Sequence, residues 1–171
     1  MDRNFIAIKK EFTTKAKCKS LIKTLDKNLE IDKSNPDLNY SYKDIKIKSV
    51  QKFIVDKAVS FVKLYTSVYP ELNMTSDRWA MTELRFKKFK PGKSFNKWHS
   101  EHCNKYPSRV LAFQLYLSDH NCGTQFMNGE YVESDIGKAV LFPAYFTHTH
   151  RGQVCPQKKT RYLITGYFNF I

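Results

Sequence analysis

Little in this chain can bend, cross-link or anchor it. Six glycines and six prolines in 171 residues leave no long flexible linker and exclude a collagen-like or low-complexity chain. The four cysteines, Cys18, Cys103, Cys122 and Cys155, form no C-x-x-C pair, which excludes a zinc ribbon and a thioredoxin-like motif. Ordinary reduced thiols are expected, with a Cys/His zinc site as the lesser reading. No apolar run approaches the roughly 20 residues of a membrane span. The segment Met1–Lys10 is charged and too short in its apolar part to read as a signal peptide. The expected location is therefore a reducing cytoplasm, the host's if the source is a virus. Acidic residues are also scarce, 16 against 29 Lys and Arg, for a net charge of +13. That excess favours anionic partners such as nucleic acid, an acidic membrane surface or an acidic protein. The lysines are scattered, however, and no aromatic–basic recognition motif accompanies them, so a solvated lysine-rich surface is the simpler reading.

What is present is a globular composition, 42% hydrophobic and 15% aromatic, suited to one domain over residues 1–171. The pattern changes near residue 78. Before it, Cys18, Leu21, Ile22, Leu25 and Leu29 recur at helical spacing within Lys15–Ile31, until Asn35 and Pro36 break the pattern. A polar, Tyr-containing connection follows to about Lys48. Val50, Phe53, Ile54, Ala58, Phe61, Tyr65 and Val68 then mark a second helix, which Pro70 ends. Both stripes read as faces packed on a sheet. After residue 78 the chain reads as strands: Trp79–Phe89, Arg109–Leu117, Thr124–Phe126, Tyr131–Glu133, Lys138–Phe142 and Thr160–Phe170. Turn signals at Pro91-Gly92, Asn128-Gly129 and Gly137 separate them. The expected fold is α+β and mainly β: a sandwich or jelly roll over residues 78–171, with helical support over residues 1–77.

His99-Ser-Glu101 sets a histidine and a carboxylate two residues apart, so in extended chain both reach one ion. His148-Thr-His150 repeats that spacing later. Two histidines and one carboxylate leave coordination positions open on one side, as non-haem Fe(II) requires. Taken alone, His-x-Glu arises by chance; Trp98 as apolar cover and Phe142-Pro143 before the second pair strengthen it. On the last strand Arg161, Leu163, Thr165 and Tyr167 share one face. An arginine facing an aromatic interior needs an anionic partner, either a protein carboxylate or a dicarboxylate co-substrate.

These segments in order resemble the prolyl 4-hydroxylase-like branch of the Fe(II)/2-oxoglutarate-dependent oxygenases, especially its short single-domain bacterial and viral members. The resemblance runs from about Leu84 to Phe170. It rests on Phe89-Lys-Pro-Gly-Lys-Ser-Phe-Asn-Lys-Trp-His99-Ser-Glu101, Leu115-Tyr116-Leu117-Ser118-Asp119 and Cys122-Gly-Thr-Gln-Phe126. The later segments are Val140 to Gly152, with Phe142-Pro143, His148 and His150, and Thr160 to Phe168. The resemblance implies a double-stranded β-helix with N-terminal helices packed on one sheet. It implies Fe(II), 2-oxoglutarate and O2, with ascorbate as an accessory reductant. His99 and Glu101 would be iron ligands, Arg161 would bind the distal carboxylate of 2-oxoglutarate, and Tyr116 and Thr165 would line the same pocket. His150 begins His-Arg-Gly and is preferred as third ligand, with His148 as the alternate. The chain departs from the pattern at Glu101, where Asp is more frequent, at Phe89, where many relatives have Tyr, and at Cys122-Gly123, where a double Gly is usual. His102 and His120 read as loop histidines.

The activity so implied is hydroxylation of a C–H bond with release of succinate and CO2. Its expected substrate is a peptidyl residue such as proline; a free amino acid, another small molecule or a nucleic acid are alternatives. A cupin-type Zn or Mn protein would share the barrel but not explain Arg161. A non-catalytic basic binding module would not explain the intact set of candidate ligands.

Overall fold

The computed structural model describes residues 3–27, 40–75, 78–119, 122–154 and 159–171. Its elements run β1 (Ala7–Lys9), α1 (Lys15–Leu25), β2 (Ser41–Asp44), α2 (Lys48–Val68), α3 (Leu72–Thr75), β3 (Trp79–Phe89), β4 (Arg109–Tyr116) and β5 (Gly123–Phe126). They continue with β6 (Tyr131–Glu133), β7 (Ala139–Pro143), a 3-10 turn (Phe146–His148), β8 (His150–Gly152) and β9 (Arg161–Phe170). One sheet has six strands in the order β1-β7-β4-β9-β3-β2, and the other has three in the order β6-β5-β8. All paired strands are antiparallel. The protein is thus mainly β with few helices.

The two-residue period of the strands decides where everything lies. On one face of the large sheet, Leu84 and Phe86 of β3, Leu111, Phe113 and Leu115 of β4, and Ile164 and Phe168 of β9 are buried. They share a core with Cys18, Leu21 and Leu25 of α1 and Ile54, Ala58, Phe61 and Tyr65 of α2. Each fully buried apolar side chain of this kind contributes about 1.5–3 kcal/mol, enough to hold helices that propensity alone would not. Thr14 caps α1 by accepting a hydrogen bond from the Lys17 amide at 3.2 Å. On the opposite face, Ala112, Tyr116, Val140, Phe142 and Tyr167 form a second core with Phe126 and Val132 of the small sheet.

Several expectations need adjustment. The first helix stops at Leu25, capped by Asp26; Leu29, Asn35 and Pro36 lie outside the described residues. The N-terminal part is not only helical, since β1 and β2 extend the large sheet at its two edges. Strands of three and four residues are too short for alternation to announce, and their partners, β7 and β3, lie far along the chain. Cys18 and Cys103 are free, but Cys122 is disulfide-bonded, against the expectation of reduced thiols. Local spacing of the cysteines gives no signal of that bond. Cys155 and His120 lie outside the described residues. No described helix is long and apolar enough to cross a membrane.

Candidate metal centre

Two segments converge between the two sheets. His99 pairs with His150 through two backbone hydrogen bonds, of 3.0 and 2.9 Å, which ties the loop after β3 to the start of β8. Glu101 follows on the same loop. One ligating atom each from His99, Glu101 and His150 lies within 4.8 Å of the others, the one such cluster among the described residues.

Hydrogen bonds set the state of both rings. Nδ1 of His99 meets the Lys97 carbonyl at 2.9 Å, and Nδ1 of His150 meets the His148 carbonyl at 3.0 Å. A carbonyl can only accept, so each Nδ1 donates, which leaves Nε2 as the nitrogen each ring can offer to a metal. Both Nε2 atoms face Oε1 of Glu101, at 3.6 and 3.7 Å. Burial works to raise the Glu101 pKa, but the bonds with His150 and His99, helped by Lys87, hold the carboxyl well below the usual carboxylate range. Two imidazole Nε2 atoms and an ionised carboxylate make a donor set that fits a divalent first-row metal.

A buried arginine sets the carboxylate's orientation. Arg109 Nη1 reaches Oε2 of Glu101 at 3.1 Å, while Nη2 reaches Glu83 at 2.8 Å. The guanidinium lies between the rings of Tyr106 and Tyr167, 3.6 and 3.5 Å from their centroids. The Tyr167 hydroxyl donates to Glu101 Oε1 at 3.2 Å. With Oε2 taken by Arg109, Oε1 is the oxygen offered to the centre. Arg109→Met, which takes the guanidinium from the buried Glu101 carboxylate and leaves Glu83 to Arg85 alone, is expected to cost about 3 kcal/mol of stability, a fall of roughly 6–12 °C in Tm. Thermal denaturation of the variant checks this; an unchanged Tm would contradict the assigned role.

Next to the centre is a narrow chamber of about 40 Å³ whose lining includes His99, Glu101, His150, Tyr116, Arg161 and Thr165. Arg161 is 3% exposed, and no carboxylate pairs with it among the described residues. Its Nη1 has only weak contacts, to Cys122 Sγ at 3.5 Å and to the Gln153 carbonyl at 3.4 Å. Its Nε and the Thr165 hydroxyl are buried with no hydrogen-bond partner among the described residues. Burial pushes the guanidinium pKa down, only partly opposed by Tyr116 and Tyr131. Unpaired donors of this kind cost free energy unless an anion joins them, so the chamber fits a carboxylate. Gly152 leaves room for the arginine, since a Cβ there would lie 3.2 Å from Arg161 Nη2. The Tyr116 hydroxyl is 2.7 Å from that of Thr124, which donates to Gln114 at 2.8 Å.

His148 is placed differently from His150. It ends the 3-10 turn, with Nε2 2.8 Å from the Asn4 carbonyl and Nδ1 2.9 Å from the Thr147 hydroxyl. His102 is a half-buried loop residue packed against Tyr145 at a tilt. Trp98 does not cover His99; it is exposed and stacks on Arg151, and the cover comes from Phe95, 4.4 Å from the His99 ring. Sequence reasoning missed Arg109, Glu83, Gln114, Thr124 and Lys87. A charged residue opening the apolar run Arg109–Leu117 was the available signal for the first.

No family model and no curated protein matches this chain. Solved structures do. A viral collagen prolyl hydroxylase from Paramecium bursaria Chlorella virus-1, in complex with 2-oxoglutarate, aligns over 98% of this chain and 97% of its own, with a TM-score of 0.75 and 14% identity. A prolyl-4-hydroxylase from Pseudomonas putida aligns over 98% and 94%, with a TM-score of 0.67 and 15% identity. A Trichoplax adhaerens prolyl hydroxylase, in complex with a hypoxia inducible factor peptide fragment, aligns over 98% and 84%, with a TM-score of 0.67 and 13% identity. The chain therefore shares the fold of prolyl hydroxylases and related 2-oxoglutarate–Fe(II) oxygenases.

Proposed function

We propose that the protein is an Fe(II)- and 2-oxoglutarate-dependent dioxygenase that hydroxylates a C–H bond, with a peptidyl residue such as proline as its leading substrate. The observation that carries this reading is a pairing within one chamber. The His99–His150 pair with ionised Glu101 stands at one side, and Arg161 Nε and Thr165 Oγ1, without a hydrogen-bond partner among the described residues, stand in the same lining. A cupin-type metal protein has use for the first half of that arrangement and none for the second. On this reading the two sheets form a double-stranded β-helix, and residues 78–171 are the catalytic core of a single domain.

Bound Fe(II), with 2-oxoglutarate and O2, supplies decarboxylation of the co-substrate to succinate and CO2 coupled to hydroxylation. The chain's own residues prepare for it. His99 and His150 offer Nε2, each held in its tautomer by a backbone carbonyl, and Glu101 offers Oε1 while Arg109 retains Oε2. Arg161 and Thr165 hold the distal carboxylate of 2-oxoglutarate, with Tyr116 beside them. Phe89, Phe95 and Leu163 give the chamber apolar walls, which raise the worth of the charges inside it. The peptide fragment bound by the Trichoplax relative and the collagen prolyl hydroxylase named above favour a peptidyl substrate.

The test is succinate release by purified protein with Fe(II), 2-oxoglutarate and O2, across peptides, amino acids and oligonucleotides. Release that requires all three and rises with one substrate class is expected. No release under any of these conditions would contradict the reading.

A further inference from the structure

Beside the narrow chamber lies a larger one of about 390 Å³, which shares Lys87, Phe95, His99 and Glu101 with it. On the oxygenase reading this is where substrate meets the metal. Its charge is lopsided. Four cations, Arg85, Lys87, Lys105 and Arg109, line it against one carboxylate, Glu101. Two of the cations are already paired. Arg109 bridges Glu83 and Glu101, and Arg85 meets Glu83 at 2.7 Å and Asp44 at 3.4 Å. Lys87 and Lys105 have no ion pair among the described residues. Their ammonium groups lie against aromatic faces instead, Lys87 5.4 Å from the Tyr40 ring and Lys105 5.5 Å from the Tyr106 ring.

The register fixes Lys87 in place. It sits on β3 opposite Leu163, between the inward-facing Arg85 and Phe89, so it projects between the sheets and not toward α1 and α2. Burial pushes its pKa down to about 8. Arg85, Arg109 and Arg161 add to the fall, and Glu101 opposes it. With Arg85 and Arg109 paired to carboxylates, the ammonium groups of Lys87 and Lys105 leave the lining with an excess of positive charge before any ligand arrives. Fe(II) and the 2-oxoglutarate dianion carry opposite and equal charges, so loading the site leaves the cationic excess standing. An enclosed excess of this kind concentrates anions and disfavours cationic ligands.

We propose that the substrate carries a carboxylate close to the group it presents to the metal, and that Lys87, aided by Lys105 at the rim, selects it. This inference rests on the oxygenase reading. The carboxylate has two sources, an acidic side chain in a peptide or the α-carboxylate of a free amino acid. A neutral peptide lacks the group that this chamber is charged to receive.

Two ligand series separate the sources. Blocked tripeptides acetyl-Gly-Pro-Xaa-amide with Xaa as Glu, Gln or Lys test the peptide; L-proline and L-leucine against their amides test the free acid. Affinity is read by NMR saturation transfer on the wild type, Lys87→Gln, Lys105→Gln and Lys87→Arg, with substrate-stimulated succinate release in parallel. In at least one series the carboxylate member should bind ten-fold or more tighter than its amide. Lys87→Gln should reduce that preference to within about two-fold, Lys105→Gln should weaken it partly, and Lys87→Arg should retain it. The proposal is overturned if neither series shows the preference or if it survives in both Gln variants. A loss of 2-oxoglutarate affinity on Lys87→Gln with the preference intact overturns it too, by assigning the lysine to the co-substrate. If the wild type binds carboxylates selectively but never consumes 2-oxoglutarate, the oxygenase reading fails and the anion selectivity stands.

Discussion

His150→Ala should abolish Fe(II) binding, whereas His148→Ala should leave it near the wild-type level. The two residues share a sequence spacing and differ only in what the fold does with their rings. The 3-10 turn Phe146–His148 carries His148 to the Asn4 carbonyl, and both of its nitrogens are engaged there. His150 begins β8, where its backbone pairs with His99 and its Nε2 is left facing Glu101. Removing one of three protein donors takes away a large part of the metal's binding free energy, so the loss should be at least a hundred-fold. His148→Ala forfeits about 1 kcal/mol of hydrogen bonding, which appears as lower stability and not as lost metal. Fe(II) titration of both variants separates the outcomes. Metal loss in His148→Ala alone would reverse the assignment of the third ligand.

Arg161→Met should raise the KM for 2-oxoglutarate by roughly thirty-fold or more, as losing a buried, charge-assisted contact of about 2–5 kcal/mol requires. Its effect on the free protein should have the opposite sign. The arginine is buried, its Nε has no partner, and no described carboxylate meets it, so a methionine of similar volume relieves a cost. The variant is expected to melt higher than the wild type without co-substrate. Adding 2-oxoglutarate should raise the Tm of the wild type and leave that of the variant unchanged. A variant that melts lower and still responds to 2-oxoglutarate would show that Arg161 is a structural residue.

Much of this was legible in residues alone, for identifiable reasons. Strand β3 keeps its β-compatible run from Trp79 to the break at Pro91-Gly92, and β4 is apolar at nearly every position because both of its faces are covered. The long helix announces itself through Val50, Ile54, Ala58, Phe61 and Tyr65. Short pieces were not legible. β1 and β2 are edge strands defined by their partners, and no local pattern encodes a partner. At the site, the sequence motif shows which residue types can bind a metal but not where a ring points, so His148 and His150 could not be separated by spacing. Supporting charges were harder still. Lys87 and Arg109 read as polar positions on strands, and only register shows that they face the space between the sheets, where Arg109 holds Glu101 and Lys87 lines both chambers.

The most direct test of the central claim is anaerobic addition of Fe(II) and 2-oxoglutarate to the purified protein, monitored by visible absorption. A weak charge-transfer band should appear only when both are present, be absent in His99→Ala, and require far more 2-oxoglutarate in Arg161→Met. No band at saturating Fe(II) and 2-oxoglutarate, with the protein folded, would contradict the account.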